Sequence, residues 1–256
     1  MISGNLTGRD DRDHLQGPQR GVSPTFFPLY RYPTIMRLSW LGHACVMLEG
    51  SRQVLIDPYI PEGKLDLSPD LVAITHGHED HFGEVIRLHR KTVAITEIGK
   101  YLRSKGLTVE TMNLGGTITV DGVSFTMTPA LHSSWLESCG FGFYGGTACG
   151  FVVGMDGVRV YHAGDTALFS DMRLIGDLYR PDVALLPIGG RFTMGPDEAM
   201  MAANLVGAKT VIPIHYNTWP AITQDVERFK QAIERTTDIR VQVLPPGGYL
   251  DLVAEQ

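Results

Sequence analysis

Leu71-Val72-Ala73-Ile74-Thr75-His76-Gly77-His78-Glu79-Asp80-His81 decides how this chain is read. Its first four residues are a short apolar run, the mark of a buried strand. The seven that follow carry three imidazoles and two carboxylates. Such a strand delivers its polar successor to the edge of a sheet, where open α/β sheets place their ligand sites. His76 and His78 are two apart, a spacing that would send them to opposite sides of a helix. They therefore read as an irregular loop, with Asp80 and His81 opening a helix that carries Val85, Ile86 and Leu88. Imidazole nitrogen with carboxylate oxygen suits zinc, iron or manganese. One His at a strand end is usually a satisfied polar residue. Three of them with an Asp in one loop favour a metal.

The composition narrows the class. A hydrophobic fraction of 43% and a charged fraction of 20% are those of an ordinary globular protein. With a net charge of −6 and no basic stripe, nucleic acid is not an expected partner. Anionic lipid is disfavoured for the same reason, and no apolar run reaches the length of a spanning helix. Cys45, Cys139 and Cys149 are odd in number and lack CxxC spacing, which argues against a disulfide framework or zinc ribbon. The N-terminus lacks a signal-peptide pattern. The expected location is the cytoplasm.

Residues 1–35 stand apart as a partly disordered N-terminal extension. They hold the charged run Gly8–Asp13, the breakers Gly17-Pro18 and Gly21–Pro24, and the aromatics Phe26, Phe27, Tyr30 and Tyr32, which have the character to dock on the body or on a second subunit. Met36 is a natural start for one folded domain, 36–256. Strands are expected at Arg37–Leu41, Cys45–Glu49, Gln53–Ile56 and Leu71–Thr75, then Thr92–Thr96, Thr108–Thr111, Thr117–Val120 and Val123–Pro129. Asp121-Gly122 and Asp156-Gly157 are hairpin turns, the second joining Gly150–Gly154 to Val158–Tyr161. Val183–Pro187, Thr210–Ile214 and Arg240–Leu244 complete the expected strands, alternating with helices at Pro196–Leu205 and Asp225–Thr236. A further helix is expected at Ile98–Ser104. Each half begins with a β-rich meander and ends in strand–helix alternation. Two mixed sheets packed face to face, with helices on both outer faces, satisfy that order.

Three later strands end in further candidates: Thr128-Pro129-Ala130-Leu131-His132, Val160–Thr166 with Asp165, and Val211-Ile212-Pro213-Ile214-His215. The set HxHxDH, then His132, Asp165 and His215 in this order, resembles the metallo-β-lactamase-fold hydrolases over essentially all of 36–250. Trp40-Leu41-Gly42-His43-Ala44, Ile56-Asp57-Pro58, Tyr161–Gly176 and Pro213–Thr218 bring it nearer the small cytoplasmic metal-dependent hydrolases similar to L-ascorbate-6-phosphate lactonase.

That resemblance implies a four-layer αββα sandwich holding two divalent metal ions, zinc first and manganese as the alternative. It implies His76, His78 and His132 on one metal, Asp80, His81 and His215 on the other, and Asp165 bridging them. The implied nucleophile is a metal-bridging hydroxide, and the catalytic candidates are Asp80, Asp165 and His43. His43 would bind a substrate oxyanion or protonate a leaving group. Asp57 would orient the His loop, as metal-bound imidazoles require; a plain strand-ending cap is the competing reading. His162 packs or hydrogen-bonds to a ligand, and a homo-oligomer is expected from the family likeness. Ser133, Ser134, Trp135, Phe192, Thr193, Met194, Asn217 and Trp219 are candidate pocket walls. Gly140–Gly146 is either a flap over the site or a glycine-rich turn, since it lacks the ending of a phosphate loop.

The expected function is hydrolysis of a small ester, lactone or phosphodiester. A non-catalytic metal- or ligand-binding module is the alternative, weakened because structural zinc needs only four closed ligands. An oxygen-reducing di-iron protein is weakened by His78, where that class carries Glu. A secreted β-lactamase is disfavoured by Asp165, where those enzymes use Cys.

Overall fold

A computed structural model describes residues 35–138 and 141–254. The expected extension, with its aromatics, lies outside these residues apart from Ile35; so do Cys139 and Gly140.

Two seven-stranded mixed sheets form the body. In the first, the strands run in the order Gly248–Val253, Ile35–Gly42, Cys45–Glu49, Gln53–Ile56, Leu71–Ala73, Lys91–Ile95, Val109–Met112. In the second, the order is Arg240–Val241, Thr210–Ile214, Val183–Pro187, Val158–His162, Cys149–Met155, Val123–Pro129, Thr117–Val120. Burial follows position. Leu71–Ala73 and Val183–Pro187 are buried throughout, as parallel strands covered on both faces must be. Ile35–Gly42, near a sheet edge, alternates buried and exposed. The helix Thr96–Ser104 covers the first sheet, while Pro196–Val206, flanked by Met172–Tyr179 and Val226–Glu234, covers the second. The expected αββα sandwich is the observed architecture.

Four differences from the sequence reading have physical causes. The helix expected to run from Asp80 through Leu88 is two short turns, Glu79–Phe82 and Val85–Leu88. Gly83 separates them at φ +41, so close to Pro58 that a Cβ would lie 2.2 Å from its carbonyl oxygen. The Glu84 amide donates to that same carbonyl, which anchors the break. Arg240–Leu244 stops at Val241. The chain then returns as Gly248–Val253 to pair antiparallel with Ile35–Trp40, a closing strand whose half-exposed alternation gave little signal. Phe141–Tyr144, inside the glycine-rich stretch, is a strand paired with Trp135–Ser138, which makes that region a two-stranded ribbon. The helix Met172–Tyr179 is not among the expected elements, although Asp171 precedes it and Pro181 follows it; the Asp171 side chain makes no capping bond to it.

The parallel strands share one polarity, and their carboxyl ends collect the chemistry. Asp57 follows Gln53–Ile56, His76 follows Leu71–Ala73, and Asp165 follows Val158–His162. His215 follows Thr210–Ile214. This is where open α/β sheets place ligands.

Candidate metal centre

The loop after Leu71–Ala73 presents His76 fully buried and His78 half-buried. His76 Nε2 stands 2.9 Å from His78 Nδ1, and His132 Nε2 stands 3.3 Å from the same atom. These three imidazoles converge from two loops, and the candidate ligand atoms lie within 4.8 Å of one another. Burial pushes the pKa of all three below the ordinary imidazole value. They are therefore neutral, as a metal ligand must be.

A second set, Asp80, His81 and His215, meets the same distance limit together with His43. Asp165 lies between the sets. Its Oδ1 is 3.2 Å from His81 Nε2, and its Oδ2 is 3.0 Å from His215 Nε2 and 3.6 Å from His132 Nε2. All seven residues singled out in the sequence are thus brought to one place. Gly164, at φ +63, allows this: a Cβ there would lie 2.5 Å from the Cys149 carbonyl oxygen.

His43 is engaged at both ring nitrogens. Nε2 is 3.1 Å from Asp80 Oδ2 and Nδ1 is 2.8 Å from Thr218 Oγ1. A neutral ring that donates from Nε2 and accepts the Thr218 hydroxyl at Nδ1 satisfies both contacts. Burial pushes the His43 pKa down to about 4, against the opposing pull of the Asp80 hydrogen bond. For Asp80, burial works upward, but the His43 hydrogen bond and the nearby His81 outweigh it and hold the carboxyl down to about 2.

Asp57 organises the centre from beneath. Its backbone is left-handed at φ +48, and its carboxylate is completely buried. Oδ2 accepts the His81 Nδ1 proton at 2.7 Å and the Thr75 hydroxyl at 2.7 Å, while Oδ1 accepts the Thr75 amide at 2.9 Å. Thr75 Oγ1 in turn lies 3.1 Å from His76 Nδ1. One carboxylate therefore sets the ring orientation of an imidazole in each set, directly in one case and through a hydroxyl in the other. Thr75 was not singled out in the sequence, although its position directly before the His loop is the signal for it.

The residues fit divalent metal. His81 Nε2, Asp165 Oδ1 and His215 Nε2 are buried and make no hydrogen bond among the described residues, although they lie within 3.2 Å of a neighbour. Buried polar atoms left this way are costly unless something pairs them. Buried ligand atoms this close to one another without hydrogen-bond geometry have the arrangement of shared ligands. Burial lowers the His81 pKa, but the Asp165 and Asp57 carboxylates raise it well above the ordinary value. That is the electrostatics of a cation site.

The expected walls divide. Ser133 Oγ lies 3.3 Å from His78 Nε2, and the Trp219 ring lies 4.8 Å from the His43 ring. Trp135 and Phe192 are exposed. Ser134, Thr193 and Met194 are buried, and Ser134 Oγ accepts the Gly77 amide at 3.1 Å, which shapes the His loop. Asn217 Oδ1 accepts the Gln224 amide and holds its own loop. His162 is fully buried in a cross-sheet link: Nε2 donates to the Ala44 carbonyl at 2.8 Å, and Nδ1 accepts the Gly164 amide at 3.1 Å.

A beta-lactamase superfamily domain model matches residues 52–216, a span that contains all seven clustered residues. A curated relative from Methanoculleus marisnigri, named a UPF0173 metal-dependent hydrolase, is 66% identical over 86% of this chain and 99% of its own length. One of the same name from Methanospirillum hungatei is 62% identical over 83% and 97%. Among solved structures, Igni18, a metallo hydrolase from Ignicoccus hospitalis, superposes with a TM-score of 0.78 at 37% identity, covering 86% of this chain and 99% of that one. The chain belongs to the UPF0173 metal-dependent hydrolases of the beta-lactamase superfamily.

Proposed function

We propose that the chain is a binuclear hydrolase of a small ester, lactone or phosphodiester, with zinc as the metal and manganese as the alternative. The observation that carries this reading is Asp165, whose two oxygens face His81, His215 and His132, members of both ligand sets. In this assignment His76, His78 and His132 hold one cation, Asp80, His81 and His215 hold the other, and Asp165 serves both. A bound pair of this kind supplies a water of lowered pKa and a Lewis-acid clamp on the reacting group.

The chain's own residues do the rest. Asp57 locks the His81 ring, and through Thr75 the His76 ring, so that each presents Nε2 to the centre. His43 is neutral near pH 7 because burial lowers its pKa to about 4. Its role in this proposal is to turn the Nε2–H that it gives to Asp80 in this structure toward an oxygen that gains negative charge, in preference to proton transfer from an imidazolium. Thr218 and Asp80 hold that ring in place at its two nitrogens. The low basicity of His43 is what separates the two roles expected of it.

The test is hydrolysis of a model lactone and a model phosphodiester by zinc- and manganese-loaded protein, with Asp165→Asn as the blank. Turnover of either substrate that vanishes in the blank supports the proposal. Full metal loading with no turnover of either favours a binding module.

A further inference from the structure

A cavity of about 640 Å³ adjoins the centre, and His43 belongs to both. This is the volume of a small-molecule site. One wall is aromatic: Trp40 and Tyr216 stack with ring centroids 5.5 Å apart and planes 8° from parallel. The Trp40 indole N–H is already given to the His43 carbonyl at 2.9 Å, so this wall adds ring surface and no free indole donor. Val226 and Leu244 line other sides. Among the described lining residues Glu62 is the one fully charged side chain, and none is Lys or Arg. A phosphate or carboxylate entering it would face a carboxylate with no cation to pair with.

We infer that this cavity binds a neutral, apolar substituent of the substrate, such as an aryl or branched alkyl group, carried on the His43 side of the scissile bond. The inference rests on the hydrolase reading above for the word substrate; the ligand class rests on the cavity alone. The His43 ring joins the two regions, since it lines the cavity and its Nε2 reaches Asp80. A group held there brings the bond it is attached to against that imidazole. The chemistry selects against substrates whose departing or retained group is anionic.

The test measures binding and turnover separately on the full zinc-loaded chain. Benzyl alcohol and benzenesulfonate are titrated by saturation-transfer NMR against wild type, Val226→Phe and Glu62→Arg. The wild type should bind the alcohol at least about tenfold more tightly than the sulfonate, and Val226→Phe should weaken the alcohol by a similar factor. Glu62→Arg should narrow the gap by tightening the sulfonate. In parallel, kcat/KM is measured for phenyl and methyl versions of one model ester and one phosphodiester. The phenyl-to-methyl ratio should fall at least about tenfold in Val226→Phe, the scale on which apolar pockets discriminate. Equal binding of alcohol and sulfonate, or alcohol binding unmoved by Val226→Phe, overturns the cavity assignment even if the enzyme turns over. Alcohol binding that behaves as stated without any turnover counts against the hydrolytic proposal and leaves the ligand class standing.

Discussion

Asp57 and His81 meet at 2.7 Å, Oδ2 to Nδ1, with both side chains wholly buried. The two residues are 24 positions apart: Asp57 directly follows the strand Gln53–Ile56, and His81 lies in the helical turn Glu79–Phe82 after the neighbouring parallel strand Leu71–Ala73. The contact fixes which His81 nitrogen faces the centre. It also gives Asp57 a function that a strand-ending cap would not have.

Replacing Asp57 with Asn should therefore weaken metal retention by about ten- to a hundredfold, the usual effect of losing an outer partner of a metal-bound imidazole. Competition against a chelator of known affinity reads this directly. Unchanged retention would reduce Asp57 to a turn-forming residue.

Asp165→Asn removes the carboxylate that faces both ligand sets. Elemental analysis should show roughly half the metal of the wild type, with hydrolysis down by about a hundredfold or more. Full metal content would mean that Asp165 does not bridge.

The His81 pKa sets the pH dependence. In the metal-free protein burial lowers it, but Asp165 and Asp57 raise it well above the ordinary value. The folded metal-free state thus keeps a proton that a metal ion taking Nε2 would have to displace. Zinc binding near pH 7 should release protons, and the apparent affinity should rise with pH. Calorimetry in buffers of different ionisation enthalpy measures the release. For the metal-free protein the sign is opposite. A raised folded pKa adds stability below the unfolded value of about 6.5, and this is lost as pH rises through the folded value. Metal-free protein that gains stability across that range would contradict the assignment.

His43→Ala should lower kcat by about a hundredfold, the scale of one lost donor to a developing charge, while metal content stays near that of the wild type. A matched loss of bound metal would instead make His43 a ligand. His43→Gln, which retains a donor, should recover part of the rate.

His162→Phe strips the Ala44 carbonyl and the Gly164 amide of their partner inside the core. Leaving these groups unsatisfied should cost about 3 kcal/mol, seen as a lower midpoint in urea unfolding. A change below about 0.5 kcal/mol would show that the cross-sheet link is not structural.

Much of the centre was legible because its residues stand at strand ends. A buried apolar run such as Val211–Ile214, followed at once by His215, is a local signal. Less visible were features whose meaning depends on a distant neighbour. Gly83 looks like an ordinary glycine until Pro58 is placed against it. Gly248–Val253 becomes a strand because Ile35–Trp40 offers its edge. Thr75 and Thr218 are polar residues beside a motif until Asp57 and His43 give their hydroxyls a partner.

By itself, the chain's one-dimensional pattern determined the layered α/β architecture and the seven clustered residues, because hydrophobic period and ligand chemistry are written locally. Tertiary structure alone decided that Asp165 faces both sets, that Asp57 steers a ring in each, and that a cavity with no Lys or Arg among its described lining residues opens beside His43. Such relationships join segments far apart in the chain; Thr218 and His43, which share a hydrogen bond, are 175 residues apart. Only packing the two sheets face to face brings such segments within hydrogen-bonding reach.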